Sequence, residues 1–169
     1  LMKQVRALNQ AVEDCGLERS LLHLVKLRAS QINGCSFCVD MHSKEAMQDG
    51  ETQQRVFLVS AWKESPLFSE RERAALAYTE AVTLIANAGV PDALYEETRK
   101  HFSDEELVKL SVAIGMINVW NRLNASVRQV AGERDAEVRA AAALRPRVAL
   151  RAHCVDQERA QHGVGVLAC

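Results

Sequence analysis

The sequence predicts an all-α protein, a helical bundle of about six or seven helices. Apolar residues recur at spacings of three and four, and no segment before about residue 130 alternates as a strand does. The first predicted helix shows this spacing in Leu1, Val5, Leu8, Val12 and Cys15. Ser-x-x-Glu sequences, which form capping boxes at helix N-termini, begin at Ser69 and Ser103. Breaks at Gly34 and Gly50 separate neighbouring helices.

Seven helices follow from these signals in chain order. They are predicted over residues 1–15, 18–32, 35–49, 52–63, 69–89, 90–101 and 104–130. The fourth is apolar on several sides, which predicts that it is buried. The seventh is apolar on two faces, which predicts a central position or a partner subunit packed against one face.

Length and composition limit the possible classes of protein. The chain has 169 residues, of which 48% are hydrophobic and 25% charged, as is typical of a globular protein. Its net charge of −1 provides no basic field to hold nucleic acid. No apolar run approaches the roughly 18 residues of a membrane span, and no leader opens the chain, so we expect a cytoplasmic protein. We predict one helical domain, 1–131, and a weakly packed C-terminal tail, 132–169.

The cysteines point to chemistry at one position. Their number is five, and an odd count in a cytosolic protein argues against a disulfide framework. Cys35 and Cys38 form a Cys-x-x-Cys pair at the predicted start of the third helix, where unpaired N–H groups stabilise a thiolate. His42 follows Cys38 by four residues and therefore lies on the same helical face. It could accept the proton of that thiol or, when charged, stabilise the thiolate.

Three interpretations of this motif are open at this point. Redox or peroxide chemistry accounts for both cysteines and the histidine together, because Cys35 can condense with an oxidised Cys38. Zinc could bind to Cys35, Cys38 and His42 with His23 as a fourth ligand, although a ligand pair within one helical turn is unusual. The third is that the cysteines are small buried apolar residues.

A longer sequence pattern surrounds the motif. Residues 27–42 read Leu-Arg-Ala-Ser-Gln-Ile-Asn-Gly-Cys-Ser-Phe-Cys-Val-Asp-Met-His. Further matching segments are 50–52 (Gly-Glu-Thr), 60–62 (Ser-Ala-Trp), 71–77 (Arg-Glu-Arg-Ala-Ala-Leu-Ala) and 117–122 (Ile-Asn-Val-Trp-Asn-Arg). Together they resemble the alkylhydroperoxidase D-like proteins of the carboxymuconolactone decarboxylase family, over about residues 8–128. The resemblance implies an alkylhydroperoxidase D-like helical bundle.

The resemblance also implies a thiol peroxidase, an antioxidant enzyme that reduces alkyl hydroperoxides through a redox-active disulfide. Cys38 would attack the peroxide, Cys35 would resolve the oxidised product, and His42 would help to activate Cys38. The reductant would be a dithiol, in the best-known members a lipoyl-carrying protein. The protein would assemble as a homo-oligomer, a trimer or hexamer. We assign no cofactor to the site.

Two positions depart from the family pattern. His23 stands twelve residues before Cys35, where the proton relay of the family usually has Glu, and Phe37 stands where the characterised peroxidases have His. A histidine can pass a proton but does not supply the negative charge of a carboxylate. We therefore expect weak peroxidase activity. The alternatives are a zinc-binding or redox-sensing non-enzymatic protein that uses His23, Cys35, Cys38 and His42, or a carboxymuconolactone decarboxylase-like enzyme.

Overall fold

The computed structural model describes residues 1–132, which form eight α-helices, one short 3₁₀-helix and no strand. The α-helices are α1 (Met2–Glu13), α2 (Arg19–Ile32), α3 (Ser36–Gln48), α4 (Gln53–Leu58), α5 (Glu70–Thr83), α6 (Ile85–Ala88), α7 (Asp92–Arg99) and α8 (Asp104–Ser126). The 3₁₀-helix, Val59–Ala61, follows α4 directly. The all-α prediction is confirmed. The predicted C-terminal tail lies outside the described residues except for Gly132.

The predicted helix starts at the two capping boxes are confirmed. In each box the serine side chain accepts a hydrogen bond from the backbone N–H three residues later, and the glutamate there accepts one from the serine N–H. Ser69 and Glu72 begin α5 in this way, and Ser103 and Glu106 begin α8. These reciprocal bonds pair N–H groups that a helix N-terminus leaves without intrahelical partners.

Helix α2 is the central element, packed against α3, α5 and α8. It contributes to two hydrophobic clusters, one with α5 and α8 and one with α3 and α4. Its most deeply buried large apolar side chains are Leu22, Leu24, Val25 and Leu27. Because α2 also ends immediately before Cys35, its burial places the cysteine turn against the core.

The structure corrects three expectations about these helices. The predicted fifth helix is divided at Leu84 into α5 and α6, which raises the count to eight. Helix α4 is not buried on all sides, since Phe57 is 64% exposed. Helix α8 ends at Ser126, earlier than residue 130. Its second apolar face, which includes Val112 and Val119, is partly exposed, and a partner subunit packed against it stays a prediction.

No helix among residues 1–132 combines the length and the apolar character needed to cross a membrane.

Glu80 in α5 joins three parts of the fold. Its carboxylate accepts hydrogen bonds from Arg28 of α2 at 3.0 Å and Trp62 Nε1 at 2.8 Å, and it pairs with Lys63 at 2.8 Å. Burial by itself would raise the pKa of Glu80. The bonds from Lys63, Trp62 and Arg28 together outweigh that effect and hold the pKa below its usual range.

A Glu80→Gln substitution should therefore lower the free energy of unfolding at pH 7 by about 1 kcal/mol after allowance for solvent screening. Because the folded pKa is depressed, this stabilisation is complete above the unfolded pKa of about 4.3 and is lost as the pH falls through the folded value. Urea unfolding at pH 7 and at about pH 3 measures it. The exposed Glu96→Gln is the control. An equal difference between wild type and Glu80→Gln at both pH values would contradict the assignment.

Candidate functional site

A tight turn connects α2 to α3 and positions the two cysteines. Asn33 ends α2, and Gly34 has a φ of +65°, a conformation in which glycine is favoured because it lacks Cβ. Cys35 is then the N-cap of α3, and its sulfur accepts a hydrogen bond from the Cys38 N–H at 3.3 Å. Cys38 therefore lies in the first turn of α3, as predicted from the Asn33-Gly34 break.

The two cysteines are joined in a disulfide. Their Cα atoms are 5.3 Å apart, and their side chains are almost inaccessible, with Cys35 4% and Cys38 0% exposed. Asn124, near the end of α8, donates a hydrogen bond from Nδ2 to Cys38 Sγ at 3.4 Å. On reduction, this amide and the free N–H groups of the α3 N-terminus would both stabilise a thiolate at Cys38. Sequence reasoning missed Asn124, which is 86 residues away in the chain.

A cavity of about 480 Å³ adjoins the disulfide. Cys35 and Phe37 line one side, and the end of α8 with the segment after it lines the other. Arg128, on that second side, has a φ of +56°, which makes it a non-glycine residue in the left-handed region. Its backbone conformation turns the chain at the end of α8, as a glycine commonly does. The cavity gives a small molecule or an extended thiol space next to Cys35.

His42 is buried on the same face of α3 as Cys38. Its Nδ1 atom lies 2.9 Å from Oε2 of Glu45, one turn further along the helix. An ionised carboxylate can only accept a hydrogen bond, so Nδ1 is the nitrogen that carries the proton. In the neutral ring, Nε2 then has a free lone pair. That atom is buried and has no hydrogen-bond partner among the described residues.

His23 faces α3 from α2 and binds a different carboxylate. Its Nε2 donates to Asp49 Oδ2 at 2.6 Å, and Arg19 pairs with the same oxygen. The hydrogen bond from His23 and the charge of Arg19 hold the pKa of Asp49 below its usual range. Nδ1 of His23 is buried without a partner among residues 1–132. The structure thus brings His23 to the interface of α2 and α3 but shows no hydrogen bond between it and His42.

One face of α3 therefore carries four chemically active side chains. Cys38, His42, Glu45 and Asp49 follow one another at spacings of four, three and four residues, which aligns them along the helix. Sequence reasoning named the first two but missed Glu45 and Asp49. The i, i+3 spacing of His42 and Glu45 was a local signal that could have identified Glu45. The predicted roles of Cys35, Cys38, His42 and His23 remain predictions.

The zinc alternative lacks a ligand set in the part of the chain that the structure describes. Within residues 1–132, no group of three or more His, Cys, Asp or Glu side chains is placed to hold a metal ion. His23 and His42, the two predicted nitrogen ligands, instead pair with Asp49 and Glu45.

Comparison with known proteins identifies the family. Residues 1–81 match the model of the carboxymuconolactone decarboxylase family. The chain is also 41% identical over 123 residues to the uncharacterized protein YdfG of Bacillus subtilis, a match that covers 73% of this chain and 84% of YdfG. The chain belongs to the carboxymuconolactone decarboxylase family. The resemblance to its alkylhydroperoxidase D-like members is confirmed by a solved structure at 53% identity.

A crystal structure from Agrobacterium tumefaciens superposes on this family member with a TM-score of 0.75 and 53% identity, covering 77% of this chain and 89% of the other. That protein is of unknown function and has been suggested to be an antioxidant defence protein, AhpD. The debrominase Bmp8 is similar in fold, with a TM-score of 0.71 at 22% identity, over 81% of this chain and 72% of its own. At that identity only the shared fold is shown.

Proposed function

We propose that this protein is a thiol peroxidase that cycles between a Cys35/Cys38 dithiol and the corresponding disulfide. The observation that carries the proposal is the disulfide at the start of α3, with Cys38 in contact with Asn124 and on the same helical face as His42. The Cα separation of the two cysteines, 5.3 Å, lies within the range in which cysteines form a disulfide. The carboxymuconolactone decarboxylase-like alternative has no need of such a pair.

The proposed reaction has two steps. The Cys38 thiol transfers its proton to His42, and the resulting thiolate attacks the outer oxygen of a hydroperoxide, so that an S–O bond forms and the O–O bond breaks. The leaving alkoxide takes the proton from His42 and departs as an alcohol. The Cys35 sulfur then attacks the sulfur of the Cys38 sulfenic acid, and the Cys35 thiol proton passes to the departing hydroxyl oxygen. The S–S bond forms, the S–O bond breaks, and water leaves.

An external dithiol would close the cycle by thiol–disulfide exchange. The cavity beside Cys35 supports entry of an extended carrier, and we propose a lipoyl-carrying protein as that reductant. A cytoplasmic setting suits the cycle, because thiols there are kept reduced.

We further propose that the protein is a homo-oligomer, a trimer or hexamer. Helix α8 supports this, because Val108, Val112 and Val119 lie partly exposed at spacings that place them on one face.

The deciding experiment is a peptide-map mass spectrum after one equivalent of an alkyl hydroperoxide is added to the fully reduced protein. We expect the peptide that contains Cys35 and Cys38 to become lighter by about 2 Da, the mass of two hydrogen atoms. The Cys38→Ser variant should show no such change. Cys15→Ser is the matched control, because Cys15 is a free cysteine in the loop between α1 and α2 and its loss should leave the change intact. A folded wild-type protein whose pair stays reduced would refute the proposal.

A further inference from the structure

Position 23 carries a histidine instead of a carboxylate, but α3 provides carboxylates at Glu45 and Asp49. On the face of α3 that holds Cys38, the next two positions after His42 are Glu45 and Asp49. Each of these carboxylates holds one histidine, Glu45 holding His42 at 2.9 Å and Asp49 holding His23 at 2.6 Å. The carboxylate that contacts His42 therefore belongs to α3 rather than to α2.

Glu45 determines which nitrogen of His42 is free. A neutral imidazole carries its proton on either Nδ1 or Nε2, and the hydrogen bond to one nitrogen selects the form. Because Glu45 accepts from Nδ1, the lone pair is left on Nε2. Nε2 is buried and unpartnered among the described residues, so no other side chain there competes for that lone pair. Without Glu45, the ring could turn or shift its proton to Nε2 and lose its function as a base.

We propose that Glu45 is a positioning residue that orients His42 and keeps Nε2 available for the Cys38 proton. The inference rests on the proposed function, since it assigns the carboxylate of the same proton-transfer site. In this proton transfer the Cys38 S–H bond breaks and Nε2 of His42 gains the proton. The resulting imidazolium keeps its hydrogen bond from Nδ1–H to Glu45. The Glu45 carboxylate then stabilises the charge that forms on the ring, in the manner of the acid in a carboxylate–histidine pair.

Glu45 lies at the edge of a cleft and is partly exposed to solvent. Glu45, His23 and Asp49 line a cleft of about 530 Å³, and 37% of the Glu45 side chain is exposed. The other charged groups that face this cleft are Glu13, Asp14, Arg19 and Lys26. Lys26 pairs with Glu13, and Arg19 pairs with Asp49.

The position of Asp49 also indicates that the α3 face with Cys38 and His42 does more than stabilise the helix. It is the C-cap of α3, where the helix dipole disfavours a negative charge. His23 and Arg19 offset that cost by binding its carboxylate directly.

The first test is nitrogen-15 NMR of His42 in wild type and in Glu45→Ala, since alanine is tolerated at a partly exposed helix position. The chemical shifts of the ring nitrogens report which of them carries the proton. We expect Nδ1–H in wild type and a large fraction of Nε2–H in Glu45→Ala. Glu45→Gln should keep Nδ1–H, because its amide oxygen still accepts the bond. Predominant Nε2–H in the wild type, or no change in Glu45→Ala, would overturn the proposal.

The second test is the alkylation rate of Cys38 by iodoacetamide in the reduced protein from pH 5 to 9. Glu45→Ala should slow the reaction at pH 7 on the order of tenfold and move the profile to higher pH, with partial rescue in Glu45→Gln. Asp40→Ala is the matched control, since Asp40 lies on α3 away from that face and pairs with Lys44. An equal loss in both alanine variants, or none in either, would contradict a specific role.

Neither readout requires turnover, so the two proposals can fail separately. If peroxide leaves the wild-type pair reduced while Glu45→Ala changes the tautomer and the alkylation rate, the peroxidase proposal fails and the role of Glu45 stands. If peroxide oxidises the pair equally fast in both proteins and the tautomer is unchanged, the peroxidase proposal stands and the role of Glu45 fails.

Discussion

Replacement of Asn121 by leucine is expected to lower the free energy of unfolding by about 2–3 kcal/mol. Asn121 is 1% exposed in α8 and connects α8 to the end of α2. Its Nδ2 donates to Ser30 Oγ at 3.0 Å, and its Oδ1 accepts from Asn33 Nδ2 at 2.9 Å. Leucine is similar in volume, so the loss comes from the two buried hydrogen bonds of Asn121 rather than from a cavity. Ser30 Oγ and Asn33 Nδ2 keep their bonds to the carbonyl oxygens of Lys26 and Ala29.

Urea unfolding followed by circular dichroism measures this loss. Asn87→Leu serves as control, because Asn87 is exposed and substitutions at such positions usually change stability by less than about 0.5 kcal/mol. Asn33 directly precedes the Gly34 turn, so Asn121→Leu should also loosen the position of Cys35. Equal stability of Asn121→Leu and wild type would show that the asparagine bonds contribute nothing net.

The second large effect is kinetic and concerns His42. His42→Gln should slow peroxide-driven formation of the Cys35–Cys38 disulfide on the order of a hundredfold at pH 7, which is typical for loss of a general base. We do not expect His23 to replace it, because His23 lies on α2 and its ring is hydrogen-bonded to Asp49 at the far end of α3 rather than to either cysteine. Rapid quenching at low pH followed by mass spectrometry of the peptide gives the rate.

His101→Gln is the matched control for His42→Gln. His101 lies beyond the end of α7, where it pairs with Glu97, and its loss should leave the rate unchanged. Thermal unfolding of both variants separates a kinetic effect from loss of the fold. If His42→Gln, while folded, forms the disulfide as fast as wild type, the base must be another group.

Local signals were sufficient for much of the fold. The capping boxes at Ser69 and Ser103 placed two helix starts correctly, because the bonds that stabilise a helix N-terminus join residues only three positions apart. The extent of burial was predicted less well. Phe57 is an apolar residue at helical spacing, yet it is largely exposed, since burial depends on which other helix packs there.

The contacts at the site also differ in whether the sequence could predict them. Cys35, Cys38 and His42 could be placed from sequence because one helix and its N-cap hold all three. The bond from Asn124 to Cys38 could not, because it depends on how α8 crosses the start of α3. Likewise, the partner of His23 is Asp49, 26 residues away, and nothing in the local sequence of either residue indicates the other.

The amino-acid sequence by itself determined the all-α class, the position of the dithiol at a helix start and the family. These features depend on spacings within a few residues or on a continuous run of residues. Only the tertiary structure decided which carboxylate serves which histidine and which side chain contacts the Cys38 sulfur. Those contacts arise from the packing of α2 and α8 against α3, where side chains distant in the chain meet in a buried space and must satisfy one another's hydrogen bonds.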